Sequence, residues 1–183
     1  MKAGVRALGV AESYTGDRST LAGVVTRASR VVDGFAFETC TVGGLDATDA
    51  VGRLYERLDR EDVRYVLVSG LALAWYNVLD LHRIREATGR PVLSVTFEES
   101  PGLERAFAAE FDGEALATRR RIYRAQPPRE RLVVNGETVF VRAVGVESSE
   151  ARDVVRAFTP EGGRPEPLRV ARLAARAADR LCD

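Results

Sequence analysis

Histidine, lysine and tryptophan each occur once in this chain of 183 residues, and cysteine twice. Each scarcity removes a kind of chemistry. Cys40 and Cys182 lie far apart with no metal-ligand spacing, so two free thiols in a reducing cytoplasm are expected rather than a zinc site. The only histidine, His82, falls inside a helical pattern, and no Ser-His-Asp set can be assembled around it. No phosphate loop ending in Lys-Ser/Thr is present, because Gly43-Gly44 has neither the spacing nor the lysine. Every apolar run is interrupted before it reaches the ~20 residues of a membrane helix. The first ten residues, MKAGVRALGV, carry one lysine and pass straight into a strand, so no signal peptide is expected.

A net charge is also missing. The 27 basic and 27 acidic residues cancel, which leaves no overall field to attract a polyanion. Any such binding must come from a local patch. Lys2 is the only lysine and every other basic residue is arginine. Arginine suits bidentate phosphate contacts, but this bias follows equally from a G/C-rich genome and says nothing of binding by itself. With 45% hydrophobic and 30% charged residues, the composition is that of an ordinary globular protein. Neither a repeat nor a linker divides it, so one domain over 1–183 is expected.

Along the chain, Val5–Val10, Leu21–Thr26 and Phe35–Val42 read as three strands, with turns at Thr15-Gly16-Asp17 and Val32-Asp33-Gly34. A helix follows, with Asp46 at its N-cap and Ala47, Ala50, Val51, Leu54 and Leu58 on one face. Tyr65–Val68 is a buried strand that breaks at Ser69-Gly70 and leads into a turn carrying Trp75, Tyr76 and Asn77. A helix from about Val78 to Thr88 stops at Gly89, and Val92–Phe97 is a fifth strand ending in Glu98-Glu99-Ser100. Pro101 opens a further helix carrying Leu103, Phe107 and Phe111, whereas Asp112–Arg131 has no clear period. Asn135-Gly136 marks a hairpin, and two helices close the chain, the last from Pro165-Glu166-Pro167. A three-strand meander followed by two parallel crossover strands is the plan of an α/β ribonuclease H-like mixed sheet, here with an added hairpin. A plain doubly wound sheet is the alternative.

In such a sheet the carboxyl ends of the first, fourth and fifth strands share one edge. Glu12, Asp46, Ser69, Glu98 and Glu99 belong there. Clustered carboxylates on that edge are candidate ligands for Mg²⁺ or Mn²⁺, ions that activate water in phosphodiester cleavage. The plain readings are an N-cap for Asp46, a solvated turn for Glu12, and a surface pair for Glu98 and Glu99. Arg119, Arg120, Arg121, Arg124, Arg129 and Arg131 form a basic cluster that contains Tyr123. That suits single-stranded nucleic acid, and it suits equally a solvated face paired with neighbouring acids.

Three segments then carry a resemblance: Leu8-Gly9-Val10 with its acidic turn, Val42 to Thr48 (VGGLDAT), and Val66-Leu67-Val68 through Gly70 to Tyr76-Asn77-Val78-Leu79-Asp80. Together with Pro165 to Arg169 (PEPLR), they resemble an archaeal family of proteins of unknown function distantly related to endonuclease V. The resemblance implies a ribonuclease H-like fold, a divalent metal site, and a partner that is single-stranded or deaminated nucleic acid. It implies metal ligation by Glu12 and by Asp46, with Glu38 the alternative match to the second acid; Glu98 or Glu99 are then candidates to compensate for Ser69, and Trp75 and Tyr76 beside Asn77 candidates to stack on a base. The chain also departs from the endonuclease V pattern. The first acid position reads Ala11-Glu12, the third acid falls on the neutral Ser69, and the late histidine falls near Glu147. A degenerate metal site, weakly active or inactive, is the expectation. A non-catalytic binding or assembly module is the alternative.

Overall fold

A computed structural model describes residues 1–181, so Cys182 lies outside the described residues. Strands β1 (Arg6–Thr15), β2 (Arg18–Arg27) and β3 (Val32–Thr41) form the antiparallel meander. Strands β4 (Val63–Ser69) and β7 (Val92–Thr96) continue the sheet from β1 as parallel neighbours, reached through helices α1 (Ala47–Leu58) and α2 (Leu81–Thr88). The expected extra hairpin, β8 (Glu130–Val134) with β9 (Glu137–Val144), adds to β7 antiparallel. The result is one seven-stranded sheet in the order β3-β2-β1-β4-β7-β9-β8. A two-stranded ribbon, β5 (Ala72–Leu73) with β6 (Asn77–Val78), stands apart from it after β4.

Strand alternation divides the core. Leu8, Val10, Leu21, Val66 and Val68 turn to one face, where they pack on Ala50, Val51 and Leu54 of α1 and Leu81 and Ile84 of α2. Tyr65, Leu67, Leu93 and Val95 turn to the other face, against helix α5 (Ser148–Ala157) and Leu168 of helix α6 (Glu166–Asp179). Ala11 and Val24 meet Ala171 of α6 on that same side. Helix α2 starts where a strong cap appears: the Asp80 carboxylate accepts from the amides of His82 and Arg83 at 3.0 and 3.3 Å. The helix therefore starts about one turn later than the expected Val78, because Asn77 and Val78 belong to the ribbon.

Two other expectations change. Val32-Asp33-Gly34 is not a turn; β3 already begins at Val32, and the reversal uses Arg30 at φ 73°. Asp33 is held in the strand by Arg6 and Arg27, each with Nε 2.6 Å from its carboxylate, and these partners draw its pKa down to about 2. The stretch without a clear period, Asp112–Arg131, holds a regular helix, α4 (Gly113–Arg124), after the shorter α3 (Glu104–Glu110). Helix α4 buries little beyond Arg119, so apolar spacing left no trace of it.

The placement of α6 requires a glycine. A Cβ on Gly9 would lie 2.6 Å from Pro167 Cβ and closer still to the Pro167 carbonyl carbon and oxygen, which are backbone atoms that cannot rotate away. Gly9→Ala is expected to destabilise the fold by about 2–3 kcal/mol or more, as forced overpacking does. Urea denaturation is the measurement, with Gly4→Ala, at an open position, as the neutral control.

Candidate nucleic-acid interface at the carboxyl edge of the sheet

The chain leaves β4 through Gly70 and makes the ribbon β5–β6 around three consecutive left-handed residues. Ala74, Trp75 and Tyr76 have φ values of 39°, 58° and 60°. None is glycine, and each such residue costs about 1–2 kcal/mol. A polar lock holds them. Arg119 of α4 is 2% exposed, lies 3.6 Å over the Phe111 ring, and donates to the carbonyls of Tyr76, Gly43 and Gly44 at 3.1, 2.5 and 3.0 Å. The Gly43 amide donates to Ala74 O at 2.8 Å. Asn77, fully buried, caps α1 by accepting from the Ala47 amide at 3.0 Å and donates to Thr41 O and Asp46 Oδ1 at 2.9 and 2.7 Å.

This lock reassigns several residues expected at the site. Asp46 occupies the N-cap position of α1 without capping it; its carboxylate accepts instead from the Thr41 amide, the Thr41 hydroxyl and Asn77. Burial pushes the Asp46 carboxyl up, but the bonds from Asn77 and Thr41 outweigh it and hold the pKa below the usual range. Asn77 and Arg119 are interior supports. Neither offers a surface to a ligand. Trp75, by contrast, is 48% exposed on a fixed turn, and Tyr76 meets Phe107 and Phe111 edge-on behind it. Arg120 and Arg124 pair with Glu104, while Arg121 is exposed on the same helix.

Glu12 lies on the Val10 face of the sheet. It accepts from Ser19 Oγ at 3.2 Å, with the Ala74 amide nearby. Burial raises its pKa, with Asp179 adding to the rise, against the opposing pull of Ser19, Arg172 and the Ala74 amide. Ser69 follows Val68 and so turns to the opposite face, toward α6. Glu98 and Glu99 are exposed beyond the end of β7. Among the described residues, no three His, Cys, Asp or Glu side chains converge as metal ligands would. Cys40 is buried beside this region. Burial, then the negative Asp46 and Glu12, push its thiol up to about 12, so it is an inert packing residue.

Beyond the ends of β4 and β7 a cleft of about 550 Å³ opens, with Ser69, Ser94 and Thr96 at its floor. Five arginines line it: Arg129, Arg142, Arg164, Arg172 and Arg176. Only Arg129 belongs to the cluster expected from sequence. The others come from β9, the loop before α6, and α6 itself, so no local run announces them. One signal was legible: Arg172 and Arg176 stand four apart on a helix, a like-charge spacing that is unfavourable unless an anion relieves it.

The sheet order and the crossovers define a ribonuclease H-like fold. Endonuclease V of Ciona intestinalis, solved in complex with a DNA containing an inosine, is similar at a TM-score of 0.68 and 12% identity, covering 97% of this chain and 87% of that one. Human ENDOV is similar at a TM-score of 0.63 and 15% identity, over 97% and 85%. The family described as Endonuclease dU matches residues 3–179, and the chain belongs to it. A UPF0215 protein of Methanopyrus kandleri is 34% identical over 96% of this chain and 91% of its own length. A protein of unknown function from Archaeoglobus fulgidus has a crystal structure similar at a TM-score of 0.84 and 29% identity, covering 94% and 97%.

Two substitutions test the local chemistry. Arg119→Lys keeps the charge but lacks the planar fork that reaches three carbonyls, so a loss of about 2–3 kcal/mol is expected in urea melts. For Glu12, the raised pKa means the fold prefers the protonated acid. Its contribution is fully present below the usual glutamate pKa and is lost as pH rises through the folded value. Glu12→Gln is therefore expected to raise the melting temperature at pH 7, with the gain vanishing in acid below the usual glutamate range. A gain that persists unchanged at low pH would refute this origin.

Proposed function

We propose that this protein is an endonuclease V-like nucleic-acid-binding protein with a degenerate divalent-metal site, weakly active or inactive as a phosphodiesterase. The observation that carries the reading is that, among the described residues, no three acidic side chains converge at the carboxyl edge. Glu12 and Ser69 face opposite sides of the sheet, and the Asp46 oxygens are taken up by Thr41 and Asn77. A carboxylate pair held this way fits a bridging Mg²⁺ or Mn²⁺ poorly, because such ions need several oxygens aimed at one point. Glu12 is the one acid at this edge whose environment is tuned as functional carboxylates are, half-buried and with a raised pKa. Binding is favoured by a cationic cleft adjoining Glu12 and by Trp75, exposed on a rigid turn where it can stack on an unpaired base.

The family description and the endonuclease V neighbours make a deaminated base the substrate to test. Strands containing inosine, deoxyuridine or neither are incubated with Mg²⁺ or Mn²⁺, and both binding and incision are read. Strand binding with slow or absent incision is expected, and any residual incision is expected to fall at least tenfold in Glu12→Gln. Rapid incision unaffected by both Glu12→Gln and Asp46→Asn would sink the metal-site reading. Absence of binding to every strand would favour an assembly module that keeps the fold and uses another surface.

A further inference from the structure

The arginine cleft has a composition that the strand-end acids do not explain. Five arginines line it against one lining carboxylate, the exposed Glu98, with Glu12 near enough to Arg172 to feel its charge. Among the described residues none of the five takes part in an ion pair. Elsewhere in this protein arginines pair freely with acids, as Arg60 does with Asp62 and Arg152 with Glu130. Clustering like charges without counter-charge is unfavourable, and a cleft with low-dielectric walls concentrates the field.

Three of the side chains are also held in place. Arg129, Arg142 and Arg164 lie over the rings of Phe140, Tyr123 and Phe97 at 3.8, 5.2 and 4.1 Å. Arg142 donates to Tyr123 Oη at 3.2 Å and to Pro127 O, and Arg129 donates to Ser100 O at 3.2 Å and to Glu98 O. Arg129 Nε is buried with no hydrogen-bond partner. Arg164, Arg172 and Arg176 donate no side-chain hydrogen bond to a described residue, and Arg164 is pushed down first by burial and then by Arg172 and Arg176. Planar guanidinium groups, three of them over aromatic faces and three of them (Arg164, Arg172 and Arg176) with no side-chain hydrogen bond to a described residue, match the oxygens of phosphoryl groups. The floor adds the hydroxyls of Ser69, Ser94 and Thr96. The volume of about 550 Å³ is that of a small-molecule site.

We propose that this cleft binds a ligand carrying two or more adjacent phosphoryl groups. A single phosphate dianion would leave most of the positive charge unbalanced, whereas a polyphosphate or successive strand phosphates would meet it. Two sources share this chemistry: a free nucleotide with a di- or triphosphate, and consecutive phosphates of a nucleic-acid strand. The assignment does not depend on strand cleavage or on any metal.

The test uses inorganic pyrophosphate as the probe, by calorimetry on the full chain at low ionic strength. Binding to the wild type is expected, weakened at least tenfold in Arg172→Gln and in Arg176→Gln, with circular dichroism confirming that each folds. Arg176 is exposed, so its variant keeps the test valid should Arg172→Gln unfold. Arg152→Gln, which removes one positive charge outside the cleft, is expected to bind as the wild type does. No pyrophosphate binding by the wild type, or equal weakening in Arg152→Gln, would overturn the assignment. A labelled single-stranded 12-mer separates the sources: its displacement by pyrophosphate assigns the cleft to strand phosphates, and binding of both together assigns it to a free nucleotide. A 12-mer that never binds counts against the proposed function while leaving pyrophosphate binding to stand or fall alone.

Discussion

The buried guanidinium of Arg119 is the contact on which the carboxyl edge of this protein depends. It ties the loop after β3 and the turn after β4 to one helix, through three carbonyls on two segments that are distant in sequence. Without it those carbonyls would be buried unpaired, a penalty of about 1–3 kcal/mol each. The lock also sustains three left-handed residues that cannot persist alone. In turn, the Ala74 amide is fixed where it meets Glu12, and Trp75 is fixed where it faces solvent. Arg119 thus acts on the backbone, through carbonyls of two segments.

That role changes how the edge is understood. Residues expected to hold a metal or a base fall into two groups. Asp46, Asn77 and Arg119 build the scaffold, each saturated by partners inside the protein. Glu12, Ser69 and Trp75 remain at the edge, but on different faces of it. The strongest unbalanced charge lies beside them in the arginine cleft. The sheet edge and α6 set where that cationic surface lies, independently of which side chains stand at the strand ends.

Much of this was legible in the residues. Strand alternation, the Asn135-Gly136 turn, Gly89 and the apolar faces of α1 and α6 are local signals, and each produced the element expected. The register of Val10 against Val68 also follows from burial on both faces, since a one-residue slip would expose every core side chain. The helix α4 was not legible, because its stability comes from Arg119 and from α3 rather than from an apolar stripe. The turn at Ala74–Tyr76 was not legible either, since nothing in Ala-Trp-Tyr favours a left-handed backbone.

The sequence by itself determined the mixed sheet, its order of crossovers, and the absence of a carboxylate at Ser69. These rest on periodicity and on residue identity, which are properties of short stretches. Only the tertiary structure decided that Asp46 is a structural acceptor, that Glu12 and Ser69 point apart, and that Arg142, Arg164, Arg172 and Arg176 share one cleft. The reason is physical: a side chain's role depends on which partners compete for it. Those partners come from segments up to 166 residues away, brought together only when the sheet packs against its helices.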